Sequence, residues 1–183
     1  MSNTLANEFI QSSIKRFKAY KQLADKTFEQ LTDADFHFQP NGSCNNIAII
    51  VQHMAGNMKS RWTNILTEDG EKPWRNRDEE FEDQGYSKEK LLQLWEEGWS
   101  VLIATLQGLQ DEDLLKHTYI RKEPLTVTDA IIRQMAHYPS HVGQIVYLGK
   151  LIKQDEWTSL SIEKGKSEAY NNAPGIKDPA KQF

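Results

Sequence analysis

The sequence predicts an all-α fold, a four-helix bundle with a long loop after its second helix and a short hairpin before its fourth. Three observations carry this. Four amphipathic segments of roughly 20 to 28 residues each keep apolar side chains on one face. No stretch reads as a long strand. Five Trp, six Tyr and seven Phe among 183 residues supply interior bulk that a 38% apolar fraction alone would not. This length suffices for one domain with a sizeable core.

The first helix is expected from about Leu5 to Leu31, where Ile10, Ile14, Phe17, Ala24, Phe28 and Leu31 form one stripe. Thr32-Asp33 and Gln39-Pro40-Asn41-Gly42 end it and turn the chain. The second opens near Ser43 to Asn46, whose small polar side chains can cap its free N–H groups, and runs to about Leu66. Its inward side carries Ile47, Ile50, Met54, Met58 and Ile65. Thr67 to Tyr86 is a charged loop long enough to suggest function, and Trp74 and Phe81 favour its docking. Ser87 can cap the third helix, with Leu91, Leu94, Trp95, Leu102, Leu106 and Leu109 as its stripe. His117 to Val127 reads as a short β-hairpin, restricted to an edge by Pro124. Thr126 with Asp129 resembles a capping box and opens the fourth helix, which runs to about Lys153. Pro139 lies inside it and should either kink the helix or make it start afresh near Tyr138. The bundle therefore occupies residues 1–156, and residues 157–183 form a polar C-terminal extension, ordered at most in part.

A formal charge of −4, with acids outnumbering bases, argues against a nucleic-acid surface, which needs a concentrated Lys/Arg face. No apolar run approaches the roughly 18 residues of a membrane span. Met1 to Glu8 lacks the basic and apolar blocks of a signal peptide, and Cys44 is the one cysteine, so a cytoplasmic location is expected.

His137 and His141 lie one turn apart on the same face of the fourth helix, a spacing that lets two imidazoles grip one ion. Gln134 and Gln144 fall on that stripe, bracketed by Ala130, Leu148 and Leu151. A polar patch within an inward stripe needs partners, and a metal would satisfy two of its members. His53, midway along the second helix between Ile49 and Gly56, is the best third ligand. Alone, each feature also fits hydrogen-bonded or packed histidines. Tyr138 stands where a zincin would need Glu, and no histidine follows a Glu-x-x pattern, so zincin and di-iron sites are excluded. Cys44 lies roughly 13 Å along a helix from His53 and cannot share its ion. His37 and His117 read as structural or exposed.

His53 followed by His137-Tyr138-Pro139-Ser140-His141-Val142-Gly143-Gln144-Ile145 resembles the DinB-like (YfiT-like) superfamily of metal-binding bundles. The stretches Gly56 to Trp62, Asp69 to Asp78 and Leu160 to Ser167 look like a subgroup of unassigned function. The resemblance spans about residues 4–172. It implies an up-down-down-up bundle, a homodimer, and one divalent ion on His53, His137 and His141. Zinc or nickel is expected first, with iron, manganese or copper as alternatives. Some relatives transfer a low-molecular-weight thiol, and others are hydrolases or isomerases.

Three neutral imidazoles leave an ion with open positions, as in catalytic sites, where bound water or a thiol becomes a nucleophile. The expected function is therefore a metal-dependent hydrolase or thiol S-transferase acting on a small molecule. A metal-binding module without turnover is the alternative, and a plain bundle with packed histidines is a third reading. Asn57, Ser60 and Gln144 are candidates for contacting substrate or bound water, and Arg61 for anchoring an anion. Interhelical hydrogen bonds account for all four equally well. Arg75 and Arg77 can guide an acidic substrate or simply form salt bridges. The sequence offers no strong general base.

Overall fold

The computed structural model describes residues 4–183, so the start of the Met1–Glu8 stretch lies outside the described residues. Helix α1 (Leu5–Phe28) begins at Thr4, whose hydroxyl accepts from the Asn7 N–H. It ends before Leu31, and a short α2 (Asp33–Phe36) follows, closed by a capping box between Thr32 and Asp35. Helix α3 (Ile47–Trp62) is capped by Asn46 and α4 (Lys88–Gly108) by Ser87. Strands β1 (His117–Ile120) and β2 (Glu123–Thr126) pair antiparallel. Thr126 caps α5 (Val127–Lys153), and α6 (Ser167–Asn172) lies in the C-terminal stretch.

Three details differ from expectation. Helix α3 stops at Trp62 rather than near Leu66, because Thr63 is extended and Asn64 takes a left-handed φ of 52°, a conformation Asn tolerates. Of the two outcomes expected at Pro139, the fresh start does not occur, since helix α5 is one element from Val127 to Lys153. Trp74 is exposed, so of the two loop aromatics only Phe81 docks.

The four long helices pack side by side: α3 against α4, α1 against α5, with α3 also meeting α5 and α1 meeting α4. The expected stripes face inward, with Phe17, Ala24, Ile47, Met54, Met58, Leu91, Trp95, Leu102 and Leu106 fully buried. Trp99 stands edge-on to Phe17 and Trp95, and Tyr138 closes the cluster from α5. Gly98 sets how near α3 and α4 come, since a Cβ there would lie 3.0 Å from the Ala55 Cα.

The loop between α3 and α4 is tied down along its length. Ser60 donates to the Gly70 carbonyl and accepts from the Lys72 N–H. The Gly70 N–H reaches the Tyr119 carbonyl on β1. Asp69 accepts from the backbone N–H groups of Arg121 and Lys122, both left-handed at the hairpin turn. Further along, Gln52 holds the Glu82 carbonyl and Asn46 holds Asp83. The C-terminal stretch folds back on α1, where Arg16 pairs bidentately with Asp178 and Ala180 is buried.

Candidate metal centre

The helix period decides which side chains meet. His53 comes from the middle of α3, and His137 and His141 come from one face of α5, where the two helices pack. The His137 Nε2 lies 3.0 Å from that of His141 and 3.5 Å from that of His53. All three ligand atoms fall within 4.8 Å of one another, so the group could hold a metal ion.

Each ring is oriented by its other nitrogen. The Nδ1 of His53 lies 3.1 Å from a Glu80 carboxylate oxygen, that of His137 2.9 Å from Gln134 Oε1, and that of His141 3.3 Å from Gln144 Oε1. A carboxylate only accepts, so Nδ1 of His53 carries a proton, and in the neutral ring Nε2 keeps its lone pair. With Gln134 and Gln144 oriented as they are, their side-chain oxygens accept from Nδ1 of the other two rings, which leaves Nε2 free in each. Three lone pairs then converge with no proton between them, an unfavourable arrangement that a cation relieves. Four-coordinate zinc with Zn–N of about 2.0–2.1 Å separates its nitrogens by about 3.3 Å, between the two spacings found here. The residues present fit such an ion.

The electrostatics agree. Burial, then repulsion from His141 and His53, pushes the His137 imidazolium down to about 4, and burial lowers His141 as well. Both rings are therefore neutral near pH 7, the form a metal requires. Burial works to raise the Glu80 carboxyl, but hydrogen bonds from Arg75 and His53 outweigh it and hold it below the usual carboxylate range. Arg75 reaches Glu80 through Nε at 2.7 Å and Nη2 at 2.6 Å, forming a chain from guanidinium to carboxylate to imidazole. The Phe81 ring covers that of His53 at 4.7 Å.

Beside the histidines lies a cavity of about 370 Å³, reached by Asn57, Arg61, Arg75, Arg77, Phe81, Arg121, Arg133 and Gln134. A larger cavity of about 560 Å³ separates α1 from the C-terminal stretch, but neither histidine nor cysteine lines it. The residue chemistry favours the smaller one.

The other candidates fall in different places. Asn57 lines the cavity and accepts at 3.0 Å from the Tyr138 hydroxyl, which itself accepts from Trp62 Nε1. Ser60 is turned to the Gly70 carbonyl, away from the histidines. Arg61 lines the cavity while holding Gly70 and Glu71. Gln144 is exposed rather than inward and meets the half-buried His141 from its solvent side, and Leu151 is exposed as well. Both Arg75 and Arg77 reach the cavity, and Arg75 also forms salt bridges within the loop. Glu80, Arg121 and Arg133 were not singled out from the sequence. Their spacing carries no signal, since long-range folding of a loop and a hairpin brings them here.

The fold and site define a mostly helical protein with a three-histidine group that could hold a metal ion. The chain belongs to the family described as "protein of unknown function (DUF1572)", whose model matches residues 4–166. No curated protein matches it. Among solved structures it is similar in fold to a conserved protein from Enterococcus faecalis. The two share 18% identity over 76% of this chain and 94% of the other, with a TM-score of 0.58. Among the described residues, no helix is long and apolar enough to cross a membrane.

Proposed function

We propose that this protein is a metal-dependent enzyme of the DinB-like superfamily, an up-down-down-up bundle working as a cytoplasmic homodimer. His53, His137 and His141 hold one divalent transition metal ion, zinc or nickel. The observation that carries this reading is the convergence of three Nε2 lone pairs whose Nδ1 partners all lie outside the group. Bound there, the ion supplies Lewis acidity that makes water or a low-molecular-weight thiol nucleophilic near neutral pH. The reaction class is hydrolysis or thiol S-transfer. Glu80 fixes the orientation of the His53 ring, and Gln134 and Gln144 set the other two rings. Phe81 shields one face of His53 from water.

One observation favours a metal-binding module without turnover. No Asp or Glu lines the cavity among the described residues, so no carboxylate faces a bound molecule as general base. Elemental mass spectrometry on tag-free protein tests the proposal. About one ion per chain, lost in folded His53→Ala and His141→Ala, supports the centre. Turnover of thiol-transfer or hydrolysis substrates, abolished in the same variants, separates enzyme from module. Absence of metal after reconstitution with zinc and nickel refutes both.

A further inference from the structure

The five arginines around the cavity come from four separate parts of the chain: Arg61 from α3, Arg75 and Arg77 from the following loop, Arg121 from the hairpin turn and Arg133 from α5. Two carboxylates answer them. Glu71 accepts from Arg61 and Arg121 and faces Arg75 at 3.8 Å, and Glu80 takes the fork of Arg75. Five guanidinium groups line the cavity, two carboxylates pair with them and no carboxylate lines it, in a chain whose formal charge is −4. The positive charge is thus gathered at the histidines against the general balance of the molecule, which focuses the field in the cleft.

The pairing is also incomplete at the level of single atoms. The Arg75 side chain is 1% exposed, yet its Nη1 has no hydrogen-bond acceptor, and the buried Nε of Arg61 lacks one too. Buried donors without partners are rare, because they forfeit hydration. Arg77 and Arg133 form no ion pair among the described residues and are exposed at the cavity. The Arg77 guanidinium stacks on Phe81 at 5.0 Å, one ring away from His53.

We infer that this cavity takes a small substrate bearing a carboxylate or phosphate group, seated against Arg77, Arg121 and Arg133 with its reacting end at the histidines. Guanidinium forks match both oxyanions in geometry, and a cavity of about 370 Å³ suits a small molecule. The inference deepens the proposed function and rests on it for the histidine end.

The test titrates full-length protein, metal-stripped and zinc-loaded, with methylphosphonate and with succinate by calorimetry at two salt concentrations. The double variant Arg77→Gln/Arg133→Gln serves as comparison, since neither side chain forms an ion pair among the described residues, and circular dichroism confirms that it folds. At least one anion should bind, more weakly at high salt and roughly tenfold or more weakly in the variant. The preferred anion identifies the head group. No binding of either anion, or affinity unchanged in the variant, overturns the inference. Metal content is read separately: metal without anion binding overturns this inference and leaves the centre standing, whereas anion binding through these arginines without metal supports the ligand class and removes the centre.

Discussion

Glu80 occupies the space that a side chain on Gly56 would fill: a Cβ there would lie 2.1 Å from the Glu80 Oε1. Gly56 sits one turn along α3 from His53, so the absent side chain makes room for the carboxylate that orients the ring. Arg75 and His53 pin Glu80 and leave it little freedom to yield. Gly56→Ala should therefore keep the helical fold and lower metal affinity by roughly 10- to 100-fold, the usual effect of losing such a ring partner. Chelator competition with circular dichroism reads both. Unchanged affinity would show that Glu80 does not set the His53 ring.

The metal-free protein should lose stability in acid through its histidines. The folded His137 is held down to about 4, so between its ordinary value of 6.5 and about 4 the unfolded chain binds the proton that the folded chain refuses. Its contribution is fully present above pH 6.5 and is lost as pH falls to 4. The slope approaches about 1.4 kcal/mol per pH unit where one proton separates the states. Urea denaturation across this range should show a shallower slope in His137→Gln.

Tyr138 ties α5 to α3 through two buried hydrogen bonds, from Trp62 and to Asn57. Its phenol is fully buried, and burial raises it well above its ordinary value, so it serves as a neutral strut. Tyr138→Phe should cost about 1–3 kcal/mol by leaving a buried donor and acceptor unpaired. Metal content should stay unchanged, since the hydroxyl contacts none of the three rings. Thermal denaturation and elemental analysis of one sample settle both points.

The hairpin turn holds Arg121 and Lys122 at φ of 56° and 67°. Left-handed backbone costs an L-residue about 1–2 kcal/mol, and the two Asp69 hydrogen bonds offset this. Lys122→Gly should raise stability by up to about 1 kcal/mol, while Asp69→Ala should lower it and loosen the loop. Proteolysis between Gly70 and Tyr86 would report the loosening.

Much of this architecture is legible in local chemistry. Asn46, Ser87 and Thr126 are small polar residues ahead of apolar periodicity, and each caps the helix it precedes. His137 and His141 share a face by helix geometry alone, and His53 was recognisable as a polar residue on an apolar stripe. Glu80 was not legible. It sits within Asp78-Glu79-Glu80-Phe81-Glu82-Asp83, where sequence alone does not reveal which acid turns inward. The end of α3 was hidden for a related reason, since Ile65 continues the apolar period after Asn64 has already broken the helix. The arginine-lined cavity depends on contacts between distant segments, which periodicity does not encode.

The nitrogen atoms of the centre belong to α3 and α5, whereas Glu80, Arg75, Arg77 and Phe81 all belong to the single loop between α3 and α4. For His53, the side chain that would grip an ion and the groups that surround it are thus written in separate stretches of chain. Replacing that loop would alter the His53 ring's orientation, local charge and water access together, while the three nitrogens kept their stations on the helices. Such a division lets one scaffold acquire a new chemistry by exchanging a single connection, without rebuilding its core.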